Sequence, residues 1–219
     1  MQKRKIIIDT YDTATDGLWT LASCVLGDAE PQEILLEIPG RLDGPLDASE
    51  ALTGDVEYGP RPLEVMLESS EGTRTERQAR ISAMVNRLHG RRVKIWLPDD
   101  AEHYLIGRVK VTPVYNDLAH AAVQVTATCE PWRYATEETE VVVEVNGNSQ
   151  EVILENDRRR TYPTATVTGA VTLVCNNKTV MLGEGTRPLI DFLTMGQGDH
   201  VVTVSGTGSV TLKYRKARL

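Results

Sequence analysis

Two periods of apolar spacing organise the first half of the chain. Leu63, Val65 and Leu67 alternate with Glu64, Met66 and Glu68, which places the two leucines and the valine on one face of a half-buried strand over 62–68. The period then changes: Ile81, Met84, Val85 and Leu88 follow the i, i+3, i+4, i+7 stripe of a helix over 75–88. Thr73 and Glu76 are spaced for a capping box at its start, and Gly90 supplies the stop. Arg80 and Arg87 flank that stripe together. Shorter apolar runs predict strands at 5–8, 33–38, 52–58, 92–97, 104–111 and 121–129. Pro39-Gly40 ends the second of these, a loop covers 41–44, and 98–103 reads as a hairpin-type connection.

The texture changes near Glu130-Pro131-Trp132-Arg133-Tyr134. Beyond it only short strands are predicted, at 141–145, 151–154, 163–168, 171–175, 178–182, 200–204 and 209–214. Asn146-Gly147-Asn148 is a strong hairpin signal, and further turns are expected at Thr168-Gly169, Asn176-Asn177 and Gly206-Thr207-Gly208. Seven or so short strands with no helical period describe a β-sandwich. The expected organisation is a mixed β domain with one helix over 1–133 and a sandwich over 134–219.

Composition narrows this. Aromatics are 5% of the 219 residues, with one phenylalanine, so the cores must be built from Val, Ile and Leu, which favours sheet. No apolar run approaches the roughly 20 residues of a membrane span. The basic start Met1-Gln2-Lys3-Arg4-Lys5 loses its apolar continuation at Asp9, so a cleaved export signal is not expected. Cys24, Cys129 and Cys175 are odd in number and far apart, which suits small buried side chains rather than a disulfide framework or a zinc cluster.

The net charge of −7 conceals an asymmetry. Residues 1–73 hold 5 Lys/Arg against 15 Asp/Glu, whereas 74–94 hold seven basic residues against Glu76 alone. The basic segment has no interleaved aromatics for base stacking, so an acidic protein surface suits it better than nucleic acid. If the acidic and basic segments meet between copies, the contact is heterologous, the kind that closes rings. A solvated helix face is the plainer reading.

A search for catalysis finds neither a nucleophile with its base nor an acid pair. The four histidines fall in no metal-binding spacing. Asp99, Asp100, Glu102 and His103 are close in sequence, but they sit at an expected hairpin tip where solvated carboxylates are routine. Gly183-Glu184-Gly185 and Gly196-Gln197-Gly198 lack the lysine and the strand–loop–helix setting of a phosphate cradle. No catalytic, metal or cofactor residue is assigned. Sugar binding by the sandwich is the alternative function, as a carbohydrate-binding adhesin, with Tyr162 the best exposed aromatic and Tyr214 expected in the core. Arg158-Arg159-Arg160 reads as a solvated loop or an interface.

The order of features resembles the siphophage distal tail protein family (Dit, phage tail component). The residues that carry the resemblance are Ile38-Pro39-Gly40-Arg41-Leu42-Asp43-Gly44, Tyr58-Gly59-Pro60-Arg61-Pro62-Leu63, the helix ending Leu88-His89-Gly90, the strands after it, and Cys129-Glu130-Pro131-Trp132-Arg133-Tyr134. The stretch from Gly198-Asp199-His200-Val201 to Gly206-Thr207-Gly208-Ser209-Val210 resembles the family's closing β-hairpin. The resemblance implies a structural protein: an N-terminal split-barrel domain with one helix, assembling into a hexameric ring, and a C-terminal galectin-like β-sandwich. It implies a hub at the virion tail tip, made in the bacterial host cytoplasm. Its partners would be the tail tube protein, the tail-associated lysin or tail fibre, the tape measure and receptor-binding proteins, with DNA passing through the lumen unread. No inserted carbohydrate-binding module is present, which favours docking over sugar binding. Arg80, Arg87, Arg91 and Arg92 are the candidate oligomer-interface residues.

Overall fold

Two compact units, Met1–Pro131 and Trp132–Leu219, divide the chain, and the computed structural model describes residues 5–40, 43–51 and 54–219. The first unit comprises β1 (Ile7–Ile8), β2 (Tyr11–Asp12), β3 (Thr20–Leu26), β4 (Leu35–Leu36), β5 (Leu46–Asp47), β6 (Arg61–Ser69), helix α1 (Arg74–Leu88), β7 (Arg92–Leu97), β8 (Asp100–Asn116) and β9 (Ala121–Cys129). Seven of these strands form a sheet in the order β2-β1-β7-β8-β9-β6-β3. The path ends on β2 and β3, so no closed barrel forms among the described residues.

Alternation and helical period meet in one core. Leu63, Val65 and Leu67 are buried with Ile81, Met84 and Leu88 of α1 and with Val109, Val111, Val123 and Val125 of the central strands. Burying each such side chain contributes on the order of 1.5–3 kcal/mol. Trp19 is fully buried in the same cluster, its Nε1 donating to Tyr11 Oη at 3.2 Å. The capping box of α1 is formed: Thr73 Oγ1 accepts from Glu76 N at 3.3 Å, and Glu76 Oε2 accepts from Thr73 N at 2.7 Å.

These bonds, the Thr73 N–H first and its hydroxyl second, hold the Glu76 carboxyl below the usual carboxylate range. A depressed folded-state value means the contribution is present above the unfolded pKa and is lost as pH falls through the folded one. Thr73→Ala should therefore cost about 1 kcal/mol near neutral pH and less in acid. Urea midpoints at pH 7 and pH 3 check both parts.

Several expectations change in the first unit. The strand expected over 33–38 contracts to Leu35–Leu36, paired with Leu46–Asp47 in a two-stranded ladder off the main sheet. Ile34, Leu35, Leu36 and Ile38 are exposed there, because no longer strand flanks them. Of the strand expected over 52–58, residues 52 and 53 lie outside the described residues, and the remainder offers only an isolated bridge from Tyr58 to Pro31. Residues 1–4, and Arg41 and Leu42 of the expected loop, also lie outside them. The connection after β7 is tighter than expected, since Leu97 already pairs with Asp100. Cys24 is half-buried on β3, a strand the apolar pattern did not announce, whereas Cys129 and Cys175 are buried.

In the second unit β10 (Arg133–Ala135) pairs with β17 (Ala217–Arg218). Between them run β11 (Thr139–Asn146), β12 (Gln150–Asn156), β13 (Thr164–Cys175), β14 (Lys178–Leu182), β15 (Gly185–Pro188) and β16 (Gly198–Tyr214). The expected breaks at Thr168-Gly169 and Gly206-Thr207-Gly208 are absent. β13 and β16 each run unbroken and pair from Thr164↔Lys213 to Val174↔Thr203. The expected closing hairpin is therefore one continuous strand.

That long ribbon carries two four-stranded halves. β11 and β15 flank one end, β12 and β14 the other. The Asn-Gly turn is present, with Gly147 at φ +85°, but β11 and β12 do not pair with each other; each joins a different half of β16. Ala165 and Val167 of one half share a core with Val171 and Leu173 of the other, as do Val210 and Leu212 with Val202 and Val204. The halves thus cover each other as a sandwich. Tyr214 is buried, its Oη donating to Glu155 O at 2.8 Å.

Candidate interaction surface

The basic segment 74–94 is largely committed within its own unit. Arg77 lies on the buried stripe of α1 and is 1% exposed. Its guanidinium donates to Gly72 O (2.5 Å), Asn116 Oδ1 (3.4 Å), Asp117 O (2.9 Å) and Leu118 O (3.0 Å). One side chain thereby ties the loop before the helix to the β8–β9 turn. Arg80 is half-buried and donates to Glu71 O at 2.5 Å and Ser69 Oγ at 3.4 Å. Arg87 donates to Thr10 O (2.9 Å) and Thr10 Oγ1 (2.8 Å), lies over the Tyr11 ring and faces Asp16 at 3.8 Å.

Arg92 forms an ion pair with Glu130. The Lys94 ammonium sits 4.6 Å from the centroid of the Tyr104 ring. Arg91 is exposed, and only its main chain is bonded among the described residues, to Leu88 O and Val109 N. The four arginines singled out from the sequence thus occupy separate surroundings. Arg80 and Arg87 serve the helix ends, and Arg91 and Arg92 stand at the start of β7.

A second set of charges lies on the sheet itself, and sequence reasoning missed it because register brings it together. Since paired residues share a face, the ladders place Arg92, Arg108, Thr128 and Pro62 in one row across β7, β8, β9 and β6. Lys110, Thr126, Glu64 and Val25 form the next row, across β8, β9, β6 and β3. The α1 helix packs against the opposite face, where Val109, Val111 and Val125 are buried. On the helix-free face the cations gather on β7 and β8, the carboxylates Glu64 and Glu68 on β6, and threonines lie between. An open groove of about 770 Å³ runs along the basic side past Arg92, Ile106, Arg108 and Lys110, with Tyr58 and Pro60 on its wall.

The other candidates resolve locally. His103 Nδ1 lies 2.8 Å from Asp100 Oδ1 on the β7–β8 hairpin, and no group of three or more candidate metal ligands converges among the described residues. Burial pushes the Cys129 thiol up to about 11, far from the range of a reactive thiolate. In the second unit Tyr162 is exposed as a single ring, while Tyr134 is buried with Arg159 stacked over it. The outer face of the β12/β16/β13/β14 half instead carries exposed Ile153, Val201, Val174 and Met181. No helix among the described residues is long and apolar enough to cross a membrane.

No protein-family model and no curated protein matches the chain. Among solved structures it is similar to the Dit protein (gp 19.1) of SPP1, described as a paradigm of the hub adsorption apparatus in phages that infect Gram-positive bacteria. The two share 17% sequence identity over 98% of this chain and 99% of that one, with a TM-score of 0.70. The fold of this chain is thus that of a Dit protein over 98% of its length.

Proposed function

We propose that this chain is a structural distal tail protein of a long-tailed phage or prophage, forming a hexameric hub ring at the virion tail tip. The observation that carries the reading is the end-to-end likeness of both units, in the same order, to a hub adsorption protein. In this role the ring joins the tail tube to the tail-associated lysin or tail fibre and to the host-attachment apparatus, with the tape measure and receptor-binding proteins as further neighbours. DNA passes through its lumen without specific contacts, and no catalytic step is assigned to it. The protein is made in the bacterial host cytoplasm and works in the assembled tail.

Features of the first unit support ring formation. β3 reads Thr-Leu-Ala-Ser-Cys-Val-Leu, without charge or proline, and pairs on one side only among the described residues. A strand at the end of a sheet is a template for another chain. Arg91, with Arg80, Arg87 and Arg92 nearby on the same segment, remains a candidate contact for the neighbouring copy. Because exposed ion pairs contribute only about 0–1 kcal/mol each, main-chain and apolar contacts must supply most of the stability. Native mass spectrometry of the full chain should give a mass six times that of the monomer. A chain that stays monomeric, alone and with the other tail-tip proteins coexpressed, overturns the proposal.

A further inference from the structure

We propose that Asn146 is a deamidation site, and that the corner of β16 at Gly206-Thr207 governs its reaction. Among the asparagines of the chain, only Asn146 is followed by a glycine. At every other asparagine the next residue carries a side chain that crowds an attack by its own amide nitrogen. Asn146 and Gly147 are exposed where β11 turns towards β12, and nothing lies within 4 Å of the place a Gly147 Cβ would take. Asparagine is a chemically labile residue, and this dipeptide combines an accessible carboxamide with an uncrowded nucleophile. The proposal concerns the second unit alone and does not depend on how the chain assembles.

The chemistry needs only water. Gly147 N, once its proton has passed to hydroxide, attacks Asn146 Cγ. The new Cγ–N bond closes a succinimide ring, and the carboxamide nitrogen leaves as ammonia, taking its last proton from water. A water molecule then opens the ring at one of its two carbonyls. Cleavage at Cγ gives aspartate, whereas cleavage at the main-chain carbonyl gives isoaspartate, whose backbone is longer by a methylene. The balance is water in and ammonia out, with nothing oxidised or reduced. Either product places a new carboxylate at the end of β11, two residues from the exposed Glu144.

The folded chain withholds both reactants. Asn146 is the last residue of β11, and its pairing with Thr207 keeps its backbone extended. Closing the ring requires its carbonyl to turn out of that ladder. The Gly147 N–H meanwhile donates to Gly206 O at 2.8 Å, so the nucleophile is held as a donor. Both restraints end on neighbouring residues of β16, at the corner that the positive-φ glycines Gly206 and Gly208 form. Opening that corner releases them together. Isoaspartate cannot restore the Asn146–Thr207 register, because its extra methylene shifts everything beyond it. The modification is therefore a one-way record of how often the corner has opened.

The test incubates the full chain in mildly alkaline buffer and follows Asn146 by peptide mass spectrometry, with isoaspartate methyltransferase labelling for the rearranged product. A synthetic peptide of residues 141–151 is the unrestrained reference. It should deamidate at least about tenfold faster than the folded chain, because reaction in the chain waits for the open state. Urea kept below the unfolding transition should speed the reaction in step with hydrogen exchange at the Gly147 amide, since both follow the same open population. Gly208→Ala, whose Cβ would stand 2.0 Å from Thr168 O, should raise the rate by roughly tenfold or more. Should that variant fail to fold, the urea series still decides. Equal rates in chain and peptide overturn the restraint. A rate indifferent to urea while Gly147 exchange responds, or unchanged in a folded Gly208→Ala, overturns the role of the corner. Product appearing at other asparagines ahead of Asn146 overturns the site itself.

Discussion

Replacing Arg77 by methionine should lower the stability of the first unit by about 3 kcal/mol, visible as an early loss of the helical circular dichroism signal in urea. Methionine keeps most of the apolar stem against Ile81, so the deficit isolates the guanidinium. Four acceptors lose their donor together, at Gly72, Asn116, Asp117 and Leu118. A hydrogen bond to a charged group contributes about 1.5–3 kcal/mol, but those bonds are not additive here. Gly72, Asp117 and Leu118 are exposed residues, so water recovers part of what is lost. Arg77→Lys should recover little, because one ammonium cannot span acceptors on both sides of the helix start. Arg74→Met, on the exposed side of the same turn, should change stability by less than about 0.5 kcal/mol. Because α1 is the one α-helix among the described residues, its signal reports this unit alone. An Arg77→Met midpoint equal to that of Arg74→Met would contradict this account.

Arg77 also shows where sequence reading succeeds and where it stops. Its position, four residues before Ile81 and seven before Met84, places it on the apolar stripe. Counted as a charge it belonged to the basic segment; counted by period it belonged to the core, and the structure follows the period. Period is likewise why β6, α1, β7 and β9 were legible, since each packs one face against its neighbours and the pattern records that face. The arm at 33–38 has the same apolar content without a partner, and Glu-Ile-Leu-Leu-Glu-Ile ends as a two-residue ladder with its aliphatics exposed. Apolar content there says nothing about burial. The segregated charges at Arg108, Lys110 and Glu64 lie far apart in sequence and become a surface only through strand register. Local patterning carries no such information.

Substituting Gly208 by alanine should be the most damaging small change in the second unit, costing about 3 kcal/mol or more. Gly206-Thr207-Gly208 looks like a turn in sequence, and in the structure it is the corner of an unbroken ribbon. Buried positions along β13 are Ala165, Val167, Val171 and Leu173, and along β16 Val202, Val204, Val210 and Leu212; between them stand exposed Gly169 and half-buried Gly206 and Gly208. Side chains vanish from the inner face where the ribbon folds over itself, at Gly169 opposite Gly208 and at Gly206 opposite Val171. All three have positive φ, +90°, +118° and +136° at Gly169, Gly206 and Gly208. A Cβ on Gly208 would stand 2.0 Å from Thr168 O, and one on Gly206 2.4 Å from Ala170 O. These contacts are with backbone, which cannot rotate away, so relief requires opening the ladder that joins both halves of the sandwich. Gly147 also has positive φ, +85°, but nothing lies within 4 Å of its absent Cβ. Gly147→Ala should therefore cost only the roughly 1 kcal/mol of the backbone conformation, and Gly147→Asn less. With about 4–8 °C of melting shift per kcal/mol in a unit of this size, Gly208→Ala should lower the melting temperature of the second unit by roughly 12–24 °C. Equal melting shifts for Gly208→Ala and Gly147→Ala would mean that the corner yields without opening the ladder, and that the continuity of β13 and β16 is not what holds the two halves together.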